Sequence, residues 1–145
     1  MKTYMDICAI KRPFDDQTHP RVALETAAVL VILQADLEGR LQCVRSAAHD
    51  LENSLNPDGR RAAAVQAWLD TLTPAAETPE AVAKRASHLA ALGFGMLDAF
   101  HLAWAENLNA DTLVTCDDRF IACAARNASS IKLRVVNPLQ LVGEL

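Results

Sequence analysis

Five carboxylates stand where a protein core has little use for them. Asp6 follows the β-rich start TYM, and Asp98 falls in the first turn of the apolar stretch MLDAFHLAWAENL. Asp117 and Asp118 come directly after DTLVTC, and Glu52 lies within AAHDLENSL. Singly, an acid of this kind caps a helix or faces water. Gathered together, ionised carboxylates repel one another and demand counter-cations. Hard divalent ions with oxygen ligands meet that demand, and Mg²⁺ or Mn²⁺ suits a site with open positions. Such a site can activate water and stabilise a phosphoryl transition state. Asp98 gains further from the helix dipole, which favours its ionised form. Glu52 joins the set only if its helix lies beside the same edge with the side chain turned inward.

These acids need elements to carry them. Residues 3–10 read as a short strand ending near Asp6, and 11–20 as a loop with two prolines. Residues 21–39 are apolar nearly all round and close on Gly39, the pattern of a buried helix with a glycine stop. A second strand is expected at 41–45. Ser46 caps a helix at 47–55, which NPDG breaks. Further helices are expected at 60–72, with Val65, Trp68, Leu69 and Leu72 on one stripe, and from Pro79 to Leu92, with Thr78 as cap, Pro79 at the first helical position and Gly93 as stop. The Asp98 helix follows the GFG turn. Then come a strand at 111–115, a helix at 120–127, a strand at 132–137 and a last helical turn from Pro138. Strands alternating with helices imply a three-layer α/β/α fold with a mainly parallel sheet, in one domain over 1–145. Ligands of such sheets bind beyond the carboxyl ends of the strands, which is where Asp6, Asp117 and Asp118 fall.

Composition narrows the classes. The chain has 145 residues, 51% of them hydrophobic, enough for one sizeable core. Net charge is −4, so no bulk basic field draws it onto nucleic acid, and local arginines or bound cations must do so. Cys8, Cys43, Cys116 and Cys123 form no C-x-x-C pair, which argues against a zinc ribbon or a thioredoxin-type site. Asp6, Lys11 and Arg12 interrupt any leader-like apolar start, so the expectation is a cytoplasmic protein with reduced thiols. The longest apolar run, 27–33, is too short to span a bilayer.

The segments YMD, LDAFHLAWAENLNADTLVTCDDRF and VVNP resemble the PIN-domain family of metal-dependent ribonucleases, which includes the VapC-type toxins of bacterial toxin–antitoxin pairs. The most specific part is the D-A-x-H-L-A … A-D-x-L-V-T-x-D-x-x-F run, and element order extends the likeness over nearly the whole chain. RPFDDQ and ENSLNPD are similar to one bacterial subgroup. The resemblance implies that Asp6, Glu52, Asp98 and Asp117 hold one or two Mg²⁺ or Mn²⁺ ions and direct water onto an RNA phosphodiester. Asp118 adds a further metal contact in this reading. It also implies an antitoxin protein that covers the acidic site, and a homodimer. The chain departs from the family in one respect. Many members carry a small hydroxyl residue and then Asn after the first aspartate, and here Ile7 and Cys8 follow instead.

Other residues carry plainer expectations. Cys8 and Cys116 read as small buried hydrophobes rather than soft metal ligands. His101 reads as a core histidine with a hydrogen bond, and Trp68 and Trp104 as core. Arg12 and Arg119 are solvated or structural, with phosphate binding as the functional alternative. The departure at Ile7 and Cys8 motivates a second function, a weakly active or inactive PIN-like module that binds RNA or a protein partner. A small-molecule phosphatase of the haloacid-dehalogenase kind wants D-x-D, and residues 6–8 read D-I-C.

Overall fold

The computed structural model describes residues 1–145. Strands β1 (Lys2–Met5), β2 (Gln42–Val44), β3 (Thr112–Val114) and β4 (Arg134–Val136) form one sheet in the order β2-β1-β3-β4, and all neighbours run parallel. The expected fold class holds, and the sheet is parallel throughout. Helices α1 (Ile7–Ile10), α2 (Pro20–Leu37), α3 (Ala47–Ser54), α4 (Gly59–Leu69), α5 (Glu80–Ala91), α6 (Met96–Asn107), α7 (Asp118–Arg126) and α8 (Pro138–Val142) cover its two faces.

Alternation along the strands divides the core. Tyr4 and Leu113 point to one face, where Leu89, Leu102, Trp104 and Phe120 of α5, α6 and α7 meet them. Met5, Val114 and Val136 point to the other, against Ile10, Val29, Ile32, Val65 and Leu141. Parallel strands buried on both faces explain the short, nearly continuous apolar runs of the sequence.

Several elements differ from the sequence-based expectation. Residues 7–10 are not strand. Asp6 ends β1 by donating its N–H to Val114, and its carbonyl then accepts from Ala9 and Ile10 to start α1. Thr78 does not cap α5, because Pro79 takes the N-cap position. Helix α4 ends at Leu69 and α7 starts at Asp118. Helix α2 is not buried all round: Leu24 and Leu30 are 58% and 53% exposed, while Glu25 is fully buried. Arg12, Arg21 and Asn137 hold Glu25, with Asn137 Nδ2 donating at 2.7 Å. Gly39 and Gly93 adopt φ of +71° and +108°, which stops α2 and turns the chain after α5. No helix is long and apolar enough to cross a membrane.

Candidate functional site

Four separate elements deliver the carboxylates to the carboxyl end of the sheet. Asp6 sits at the end of β1, Glu52 in α3, Asp98 in the first turn of α6, and Asp117 between β3 and α7. Ser46 positions α3 through a capping box: its Oγ accepts from the Ala48 N–H, and His49 Nδ1 accepts from the Ser46 N–H.

Asp6 is 3% exposed, and its two oxygens differ. Oδ2 accepts from the Thr115 hydroxyl at 2.9 Å and from the Cys8 thiol at 3.1 Å. Contact with Cys116, burial and the Asp6 charge all raise the Cys8 thiol, so it remains a proton donor. Oδ1 is buried and has no hydrogen-bond partner. An unpartnered carboxylate oxygen in a buried place is costly unless a cation or donor reaches it.

The Thr115 hydroxyl also accepts from the Asp117 N–H at 3.1 Å, and so links two of the acids. Asp117 is the N-cap of α7, with Oδ1 accepting from Arg119 and Phe120 N–H. Its capping role and its place beside Asp98 coexist, because one oxygen serves the helix. Burial pushes the Asp98 carboxyl up to about 7, and the charges of Asp6 and Asp117 push in the same direction. That rise is the electrostatic signature of acids brought close together.

His101 is the group within the cluster that can carry a positive charge. Its Nε2 lies 3.3 Å from Glu52 Oε2 and 3.6 Å from Asp6 Oδ1. Burial alone would lower its pKa, but the hydrogen bond to Glu52 and the charges of Asp6 and Asp98 outweigh that, and the net shift is upward. Its Nδ1 meets the Tyr4 hydroxyl at 2.6 Å, and that hydroxyl meets Ser46 Oγ at 2.7 Å. His49 is fixed as the neutral Nε2–H tautomer, since Nδ1 takes a backbone N–H and Nε2 faces the Met5 carbonyl at 2.7 Å. Two proton arrangements satisfy this chain. With His101 neutral, Tyr4 donates to it and Ser46 donates to Tyr4. With His101 charged, both hydroxyls reverse and Ser46 turns toward His49 Nδ1, 3.3 Å away.

One nitrogen or oxygen from each of Asp6, Glu52 and His101 falls within a mutual 4.8 Å. The orphaned Asp6 Oδ1 and a donor set dominated by carboxylate oxygen fit a hard divalent cation, with His101 as nitrogen ligand or as proton donor in its place. Two clefts flank the acids. One, of about 320 Å³, includes Gly93, Gly95, Asp98, Asp117 and Arg119. The other, of about 240 Å³, includes Ile7, Lys11, Glu52, Leu55 and Leu97.

Thus Asp6, Glu52, Asp98 and Asp117 come together. Asp118 does not join them. Its carboxylate is exposed and takes a two-pronged hydrogen bond from Arg21, at 2.7 Å for each oxygen. Arg12 is engaged by Asp15 and Glu25. Sequence reasoning missed Thr115 and Tyr4 as supports and gave Cys8 no polar role. The T-x-D spacing was the available signal for Thr115. Trp104 is core as expected, and the four cysteines are free.

No family model, curated protein or solved structure matches the chain, so the fold and the site geometry carry the functional argument.

Proposed function

We propose that this protein is a metal-dependent endoribonuclease of the PIN type, hydrolysing RNA phosphodiesters at a carboxylate site. The observation that carries the reading is the convergence of Asp6, Glu52, Asp98 and Asp117 at the carboxyl end of a parallel sheet, around an Asp6 oxygen that is buried and makes no hydrogen bond, with His101 3.6 Å away. Asp6, Glu52, Asp98 and Asp117 would hold Mg²⁺ or Mn²⁺, which when bound would supply an activated water and offset charge on the phosphoryl oxygens. The chain's own part is positioning. Cys8 and Thr115 fix one edge of Asp6, helix α7 fixes Asp117, and Tyr4 turns His101 toward Glu52.

The partners follow from the same reading. An antitoxin protein would cover the acidic face. A second copy of this chain suits the outer face of α2, where Leu30 and Leu37 are exposed two turns apart on one line. Four free thiols suit the reducing cytoplasm.

The test is cleavage of a mixed RNA pool with Mn²⁺ or EDTA, wild type beside Asp98→Asn. Cleavage that needs both the metal and Asp98 is the expected result. Equal cleavage by the variant sinks the assignment. One observation favours the second reading, a non-catalytic module that binds RNA or a protein: His101 Nε2 lies 3.6 Å from Asp6 and 3.3 Å from Glu52, where its protonated form would offset their charge without a metal. Metal affinity without turnover on any RNA would select it.

A further inference from the structure

The acids leave open what holds the rest of a polyanionic substrate in a protein of net charge −4. Most of the cations close to the sheet's carboxyl end are engaged. Arg12 pairs with Asp15 and Glu25, Arg21 with Glu25 and Asp118, and Arg61 with Asp15 and Asp58. Lys11 and Arg119 differ, since neither side chain makes an ion pair or a hydrogen bond. Each also lines a cleft that contains an acid of the site. Lys11 shares one with Glu52, and Arg119 shares the other with Asp98 and Asp117. Unpaired cations beside a carboxylate cluster have the charge to bind phosphates on either side of the one at the acids.

Two exposed apolar side chains stand at or next to these clefts. Leu55 lines the Lys11 cleft and is 63% exposed, and Met96, adjacent in sequence to Leu97 of that cleft and Gly95 of the other, is 87% exposed. Exposed aliphatic side chains have nothing to offer a phosphate backbone, but they can meet the face of an unstacked base. A duplex presents its phosphates outward and keeps its bases covered. We infer that Lys11 and Arg119 anchor the phosphates flanking the scissile one in an unpaired RNA strand, laid across the acids from the α3 cleft to the α7 cleft. This rests on the nuclease reading.

The experiment combines cleavage kinetics with direct binding. Lys11→Gln and Arg119→Gln are each made in the wild-type chain for KM and kcat. Each is also made in the Asp98→Asn chain for fluorescence anisotropy of a labelled unpaired oligoribonucleotide in Mn²⁺. Each change is expected to raise KM about three- to tenfold with kcat nearly constant, and to lower the slope of log affinity against log salt by about 0.7. A dinucleotide with a single phosphodiester should not distinguish the variants. Melting by circular dichroism controls for folding. Unchanged KM and salt slope, with cleavage still dependent on Mn²⁺ and Asp98, overturns the anchors and leaves the nuclease standing. Equal affinity and cleavage on a duplex of the same sequence overturns the unpaired strand. No cleavage and no RNA binding by the intact chain with Mn²⁺ overturns this inference together with the reading beneath it.

Discussion

The Cys8 thiol lies 3.1 Å from Oδ2 of Asp6 and donates its proton there. It also reaches the Thr115 hydroxyl at 3.0 Å and accepts the Cys116 N–H at 3.2 Å. The thiol therefore does what a polar neighbour of the first aspartate would do, although a cysteine after Asp-Ile reads as apolar. With Oδ2 engaged by two donors, Oδ1 is the oxygen left for a cation. Cys8→Ala should weaken Mn²⁺ affinity by about tenfold, the usual effect of losing a group that orients a ligand. Cys8→Ser should restore most of it. Titration calorimetry gives the comparison, and equal affinity in the alanine variant would remove Cys8 from the site.

Asp98 gives the metal-free protein a pH dependence that lowers stability toward the alkaline side. Its carboxyl is raised to about 7, against an unfolded value near 4. Between those limits the folded state holds a proton that the unfolded state has lost, so this contribution to stability falls as pH rises from about 4 to 7. Asp98→Asn removes the effect. In EDTA the variant should be more stable than wild type at pH 8 by about 1–2 kcal/mol, a figure reduced for the screening of a partly exposed group. The difference should close toward pH 4. Urea unfolding at the two pH values measures it, and a variant less stable at pH 8 contradicts the electrostatic account.

The order of elements was legible because each strand is a short apolar run and each helix ends in a recognisable stop. Gly39 and Gly93 both take the positive φ that their places after helices suggested. The helix at Ile7–Ile10 was not legible, since Ile-Cys-Ala-Ile carries a strand-like composition and the turn depends on Asp6 closing the β1–β3 ladder. Asp6, Asp98 and Asp117 were visible as acids at element ends, and Glu52 only as a helical acid whose facing the sequence left open. What divides Asp117 from Asp118 lies outside local sequence: one caps α7, and the other faces Arg21, 97 positions away. The link from Thr115 to Asp6 spans 109 positions and exists only once two strands pair.

Tyr4 connects the core to the site through His101. Its hydroxyl is fully buried and serves both His101 Nδ1 and Ser46 Oγ. Tyr4→Phe leaves those two groups without their shared partner and should cost about 1–3 kcal/mol. Denaturant titration reads the loss. Wild-type stability would show that a water or a rotated Ser46 replaces the hydroxyl at no cost.

His49 should stay neutral far below the usual histidine range. Burial, and then the nearby His101 charge, hold its pKa down to about 3. The unfolded chain binds a proton near 6.5 that the folded chain refuses, so this contribution to stability is lost as pH falls from about 6.5 toward 3. Nitrogen-edited NMR should find a protonated Nε2 and a bare Nδ1 in His49 down to about pH 4. A titration midpoint near 6.5 contradicts the lowered pKa, and a protonated Nδ1 in the neutral ring contradicts the assigned tautomer.

The outer face of α2 tests the proposed dimer. Leu30 and Leu37, two turns apart on one line of the helix, are 53% and 82% exposed, while its inner residues Val29 and Ile32 are fully buried. A helix needs one apolar stripe to bury against its own core, and a second stripe wants another surface. If that surface is the same stripe on a second copy, a two-fold pairing places Leu30 near its own equivalent. Leu30→Asp then sets two carboxylates against each other in an apolar contact and should give a monomer, with the melting temperature of the isolated fold little changed at low concentration. Light scattering on both proteins at tens of micromolar settles the point, and a monomeric wild type excludes the pairing.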